Sequence, residues 1–251
     1  MIRRSLPLLL VFVLFGSSPL ACARFEPYTL APNAPKSAEL RSLLVLPLNF
    51  DVAPSPRFVL GTEILEAEVV RFLSESGFDV YQMRLSAVAE DWRSSQQEVG
   101  GLESTRRGKL DDESYESARA AVARRALARQ PADAAVVPTF LVREARYDGQ
   151  KLTWDGVTRD VPLDMSGTTR ALAYVKGKLH ATSLRVTVYD RSGRKIFERY
   201  AGLEPLTRIV VSQDHWRQEA RTDLFADAPL LESGVRMAFD PWLVAPPPAT
   251  D

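Results

Sequence analysis

The chain has 251 residues and a mass of 28.0 kDa, with 45% hydrophobic and 25% charged residues, proportions that exclude a disordered polymer and provide for a real core. Lys+Arg and Asp+Glu both number 32, so no overall charge attracts the chain to nucleic acid or acidic lipid. One Cys and two His are too few for a structural zinc site or a disulfide framework, and no metal or other cofactor is expected.

Residues 1–21 form the first element. Arg3 and Arg4 are followed by an apolar run from Leu6 to Phe15 and by mainly small residues from Gly16 to Ala21, the pattern of a secretory signal. About ten apolar residues fall well short of the roughly 20 that cross a bilayer as a helix. Removing Arg3 and Arg4 leaves 30 basic against 32 acidic side chains, so the exported chain stays close to neutral. Cys22 follows Leu20 and Ala21, which resembles the lipobox of bacterial lipoprotein precursors, although Pro19 stands where that family usually has Leu. The resemblance implies that Cys22 is the lipidated first residue of the mature chain, and Ala23 after it implies sorting to the outer membrane, facing the periplasm. More than one buried acyl chain would make such an anchor stable. Ala21 and Ala23 also form the small-residue pair of an ordinary signal cleavage site after Ala23.

Residues 22–40 contain three Pro and no sustained period, so a flexible tether is expected, with a reach of roughly 25 Å as a coil and up to ~60 Å extended; an extended strand lying on the domain is the alternative. One α+β domain is expected over 41–243. Leu43 to Phe50 reads as a central strand. Ile64, Leu65, Val69, Phe72 and Leu73 then recur on one stripe of a helix ended by Gly77, and Phe78 to Met83 alternates as a strand. Residues 84–110 read as a surface loop or weak helix. Asp111, Asp112 and Glu113 open an Ala-rich helix that closes on Arg124, Arg125 and Arg129, charges that suit the macrodipole.

Ala134 to Val142 is a second apolar strand, and Asp148-Gly149 signals a turn after it. Residues 150–180 accommodate one extra hairpin. Leu184, Val186 and Val188 share one face of a strand, with Arg185, Thr187 and Tyr189 on the other, and Ser192-Gly193 turns the chain into Lys195 to Tyr200. A last helix begins near Asp227 and Pro229 and stops at Pro241, and 244–251 is a Pro-rich tail. These elements predict a single mixed β-sheet with helices packed on one face.

This order, with "LLVLPLNF", "SGFDVYQM", "ADAAVVPTFLV" and "SLRVTVYDRSGRKIFER" in place, resembles periplasmic lipoproteins of the curli-secretion (CsgG-like) and TolB amino-terminal-domain group over about residues 41–200. The resemblance implies a small α/β module that binds partners and catalyses nothing; Ala132-Asp133 and Asp190 to Gly193 occupy its characteristic places. No run of alternating apolar segments suited to a membrane pore is present.

No Gly-x-Ser-x-Gly, phosphate-binding or dinucleotide-binding motif occurs, and His180 and His215 lack the spacing of a triad or metal helix. Lys176, Lys178, Arg191, Arg194 and Lys195 with Tyr174 and Tyr189 are a candidate basic patch, and Trp154, Trp216 and Trp242 are candidate exposed aromatics. Trp154, Tyr174, Lys176, Tyr189 and Trp216 together form the expected partner surface. The resulting expectation is a non-enzymatic, lipid-anchored scaffold that binds other envelope proteins. An envelope glycan or peptide hydrolase and an oligomeric secretion-accessory subunit are the alternatives.

Overall fold

The computed structural model describes residues 28–51, 58–102, 111–165, 176–212 and 215–243. The signal segment, Cys22, Tyr174 and the Pro-rich tail lie outside them. The first described elements are β1 (Tyr28–Leu30), β2 (Ser42–Val45), α1 (Val59–Glu75), β3 (Asp79–Gln82), α2 (Leu85–Glu98) and α3 (Asp112–Arg129). Then come β4 (Ala134–Asp148), β5 (Lys151–Trp154), β6 (Val157–Asp160), β7 (Leu163–Met165) and β8 (Lys176–Asp190). The order closes with β9 (Lys195–Pro205), β10 (Thr207–Ser212), β11 (His215–Ala220) and α4 (Ala228–Phe239). The main sheet runs β1-β9-β8-β4-β2-β3, with the β5–β6 hairpin on β4, and a smaller sheet runs β11-β10-β7.

The fold is α+β on a mixed sheet: β2 is parallel to both β3 and β4, and the rest of the main sheet is antiparallel. Helices cover both faces of it, not one. Leu43 and Val45 of β2 pack with Leu65, Val69 and Phe72 of α1 and Val235 and Phe239 of α4. Leu44 and Leu46 turn the other way, onto Val88 and Trp92 of α2 and Ala118, Val122 and Ala126 of α3. A strand with successive side chains on opposite faces and no polar residue in the run must be covered twice. The Ala-rich stripe of α3 meets that need, because small side chains let a helix come close to a sheet.

Helix ends follow the local chemistry. Asp111 caps α3 by accepting from Ser114 N, and Asp227 caps α4 by accepting from Leu230 N. Gly77, with φ +90°, supplies the left-handed residue just beyond α1. The segment after β2 is tied down by Asn49, whose amide donates to Phe140 O (3.1 Å) and accepts from Phe140 N (2.7 Å). The polar stretch after β3 forms α2 over 85–98, its Val88 and Trp92 facing α3.

Two departures from the residue pattern concern edges and lengths. Tyr28–Leu30 pairs with β9 in register Tyr28↔Arg199, so from residue 28 onward the expected tether is part of the domain: the strand takes up backbone groups that the edge of β9 would otherwise leave open. The antiparallel pair of β4 and β8 is also longer than the apolar runs suggest, each strand having 15 residues. Its outer half is covered by strands. Ala145, Tyr147, Leu179 and Ala181 form a third core with Leu152, Trp154 and Val157 of the β5–β6 hairpin and with Ile209 of β10. A register shift against Ala181 and Ser183 places one extra residue in β9 between Gly202 and Pro205, a bulge of that strand.

Candidate functional site

The β8–β9 turn and the start of α3 face each other across a cleft of about 460 Å³. Asp190 builds the turn by accepting from Ser192 N and Arg194 N, and Gly193 takes φ +82° there. A Cβ on Gly193 would stand 3.0 Å from Ala120 O, so the turn lies directly on α3. From the helix, Asp112, Glu113 and Glu116 line the cleft; from the strands, Tyr189, Gly193 and Lys195 do.

Behind the cleft, charged side chains form a continuous row over the sheet. Arg185 Nη2 lies 2.6 Å from Glu116 Oε1 and 2.6 Å from Glu198 Oε2. Lys195 Nζ lies 3.1 Å from Glu198 Oε2 and 3.6 Å from Glu116 Oε2. Burial opposes the charge on Glu198, but Arg185 and Lys195 outweigh it and hold this carboxyl below the usual glutamate range. Deeper still, Arg119 is fully enclosed: it pairs with Asp51, donates to Thr139 Oγ1 at 2.8 Å and stacks near Phe50 and Tyr115. Burial opposes the charge on Arg119 too, and Asp51 restores it.

Three polar atoms of this row, the Tyr189 hydroxyl, Arg119 Nε and Glu116 Oε2, have no close hydrogen-bond partner. Tyr189 is 1% exposed, and its hydroxyl is enclosed beside the Arg119 guanidinium, which acts on the phenol both by its charge and as a hydrogen-bond donor. Burial pushes this phenol upward, with Arg119 acting against the shift. Glu116 Oε2 is likewise enclosed without a hydrogen bond.

The carboxylates that converge here are counter-ions. Glu116 and Glu198 share Arg185, and Asp51 belongs to Arg119. A general acid working near neutral pH needs a carboxyl raised toward that pH, whereas Glu198 is lowered. Among the described residues no group of three or more His, Cys, Asp or Glu could hold a metal ion.

The residues expected to form one partner surface are scattered. Trp154 is 6% exposed and its Nε1 donates to Thr182 O at 3.0 Å, so it is a core residue: the β5–β6 hairpin needs an apolar body to close over the long strands; Trp242, expected to be exposed, is core as well, stacked on Phe197. Tyr189 is interior because α3 lies over it. Lys176 is exposed and paired with Asp148 at 2.7 Å. Trp216 lies on β11 opposite Val211, and Tyr174 is outside the described residues. Lys176 and Lys178 begin β8 whereas Arg191, Arg194 and Lys195 follow its end, roughly 45 Å away along a 15-residue strand, so they do not make one basic patch. Glu116 is the site residue that the residue pattern missed. Its sign was the polar alternation Arg185, Thr187, Tyr189 on a strand whose other face is wholly apolar, a row that needs a carboxylate when both faces are covered.

A second open feature is the smaller sheet. Among the described residues β11 pairs only with β10, and Arg217, Gln218 and Ala220 are exposed along it. Because successive strand residues point to opposite faces, Arg217 and Gln218 place an exposed side chain on each face of β11, Gln218 Nε2 also donating to Lys178 O at 2.9 Å. Among the described residues no helix is long and apolar enough to cross a membrane.

No family model matches the chain, and no curated protein matches it. Two solved structures of PelC dodecamers from Paraburkholderia phytofirmans are similar to it. A point variant in space group C2 shares 12% identity, with 86% of this chain and 96% of that chain covered and a TM-score of 0.35. The dodecamer in space group P6 shares 11% identity, with 86% and 95% covered and a TM-score of 0.35.

Proposed function

We propose that this chain is a lipid-anchored envelope protein that works by binding another envelope protein and carries out no reaction of its own. The observation that supports it most is β11, a strand with exposed side chains on both faces and, among the described residues, no strand beyond it on its outer edge. Such an edge is a template for pairing with another chain, and strand addition is a recurrent way of recognising a partner. The capture of Glu116, Glu198 and Asp51 by arginines supports the non-catalytic part. The membrane part rests on the signal pattern and on Cys22.

A photo-crosslinking side chain placed at Arg217 or Gln218 in intact cells tests the binding part. The expected result is a discrete adduct with an envelope protein from both positions and none from Lys151, which is exposed on another hairpin. An adduct of twice the chain's own mass would identify the partner as a second copy, the assembly expected of an oligomeric accessory subunit. The absence of any adduct from either β11 position would overturn the reading. The anchor is tested separately: the Cys22→Ala protein should leave the membrane fraction, and its retention there would refute lipidation.

A further inference from the structure

We infer that β3, the outermost strand on one side of the main sheet, pairs edge to edge with β3 of a second copy of this chain, around a two-fold axis at Tyr81. The inference goes beyond the reading of β11 and stands without it, because it concerns another edge, another sheet and an identical partner.

β3 ends the main sheet beside β2, and among the described residues no strand lies beyond it. The phase of the backbone decides which groups that leaves open. Asp79 N donates to Arg41 O (2.9 Å) and Met83 N to Val45 O (3.3 Å), so Asp79, Tyr81 and Met83 turn their peptide groups toward β2. The N–H and C=O of one residue point to the same side of a strand, and the side alternates along it, so Val80 and Gln82 turn theirs outward. Such a row is a template for another strand. The usual guards are absent: Asp79–Gln82 holds no Pro and no Lys, and its register with β2 runs without a bulge. The opposite edge of the same sheet is guarded, since β1 has three residues and Pro32 follows closely.

Two copies of this edge fit each other in one register. A two-fold axis perpendicular to a sheet makes the neighbouring strands antiparallel and keeps every side chain on its own face, so residues of like parity stand opposite. Centred on Tyr81, Val80 pairs with the partner's Gln82, Gln82 with the partner's Val80, and Tyr81 with the partner's Tyr81. Both outward-turned residues then lie in hydrogen-bonded pairs, each exchanging two bonds. Tyr81, 37% exposed, falls in the intervening pair, where side chains approach most closely and two aromatic rings stabilise the contact. Centring on Val80 would set Gln82 against the partner's Phe78, whose N–H is already given to Leu73 O (3.3 Å).

The flanks agree with this register. Asp79 stands opposite the partner's Met83 and Arg84 opposite the partner's Phe78, so no like charges meet. Arg84 is extended (φ −71°, ψ 142°) and Leu85 after it is 56% exposed, which carries Leu85 toward the partner's Gly77. A Cβ on Gly77 would meet nothing within 4 Å, so that corner has room for it. A two-fold contact uses the same patch on both copies, and this short one makes a weak, reversible dimer.

The test uses the purified Cys22→Ala chain, which carries no thiol. Sedimentation equilibrium over a dilution series should show monomer and dimer in exchange. Val80→Pro removes one outward N–H from each copy and leaves the bonds to β2 in place; it should weaken the dimer roughly thirtyfold, the size of two ordinary hydrogen bonds, with the Tm of the monomer retained. Tyr81→Lys and Tyr81→Glu each set like charges opposite one another and should be monomeric alone, while their equimolar mixture should recover the dimer. Under mild oxidation Tyr81→Cys should form a disulfide dimer and Val80→Cys should not, because the axis brings only residue 81 opposite itself. A chain that stays monomeric into the millimolar range, a dimer left unchanged by the folded Val80→Pro protein, no recovery in the mixture of folded Tyr81 variants, or equal crosslinking from both cysteines would each overturn the inference. Crosslinking from Arg217 and Gln218 of β11 should be the same with Val80→Pro, so the two readings fail separately.

Discussion

Arg119 and Asp51 form an ion pair at 3.0 Å in which the two side chains are 0% and 2% exposed. Arg119 belongs to α3 and Asp51 follows β2, so the pair ties a helix to the end of the central strand beneath the apolar surface that both share. Tyr115 donates to the same carboxylate, and Arg119 reaches on to Thr139 of β4. Three elements are thereby fixed at one buried point.

Removing one member of such a pair strands the other charge in the interior. Asp51→Ala should cost about 3–5 kcal/mol. Replacing both, as Asp51→Leu with Arg119→Met, should recover much of that loss, because the uncompensated charge is gone. Denaturant midpoints of the single and double variants decide the matter; a double variant as unstable as Asp51→Ala alone would show that the pair does more than neutralise itself.

Asp133 makes a second long-range tie, through a single carboxylate oxygen that accepts from Arg41 N (2.9 Å), Ser42 N (3.0 Å) and Ser42 Oγ (3.0 Å). The backbone N–H of Arg41 is the main reason that this carboxyl is held below the usual aspartate range, against the opposing effect of burial. A lowered folded-state value contributes stability that is present above the ordinary value of about 3.9 and is lost as pH falls through the lowered one. Asp133→Asn should therefore cost about 1–2 kcal/mol at pH 7, with the gap between the two proteins closing below about pH 4. Unfolding curves taken across that interval check it.

Glu204 has the opposite sign. It is buried, accepts a hydrogen bond from Phe225 N, and lies 2.9 Å from Arg221. Burial is the leading cause and raises this carboxyl above the usual glutamate range, despite the Phe225 N–H and Arg221. Folding therefore favours the protonated form. The resulting stabilisation is full below the ordinary value of about 4.3 and is lost as pH rises through the raised one. Relative to Glu204→Gln, the native protein should gain stability as pH falls from 7 toward 4; a constant difference over that interval would contradict the assignment.

Gly202 of β9 has no room for a side chain. A Cβ there would stand 2.2 Å from Val157 Cγ2 and 2.7 Å from Trp154 Nε1. Gly202→Ala should push the β5–β6 hairpin outward, costing about 1–3 kcal/mol as an overpacked core does. The displacement should expose Trp154 and red-shift its emission. Unchanged stability and emission would mean that the hairpin yields freely.

The elements that could be read from the residues are those with a local physical signature. Leu65, Val69, Phe72 and Leu73 mark α1 by spacing, Asp111 and Asp227 mark helix starts, Gly77 marks a stop, and Asp148-Gly149 and Ser192-Gly193 mark turns. The β10–β11 ribbon was not legible, because most of its residues are half-exposed or exposed and carry no sustained alternation. The cleft was harder still. Tyr189 was visible as a candidate residue, but as a surface aromatic; only the placement of α3 over β8 makes it interior and sets it beside Glu116, 73 positions earlier in the chain.

The sequence by itself determined the exported-protein pattern at the start, the strands and helices of the central module, and the absence of known nucleotide-binding or nucleophile motifs. The tertiary structure alone decided that helices cover both faces of the sheet, that Tyr28–Leu30 belongs to the domain, and which buried charges find each other. The reason is range. Periodicity and capping act over a few residues, whereas a buried charge is tolerable only beside a partner, and those partners are brought together by the close packing of elements far apart in the chain.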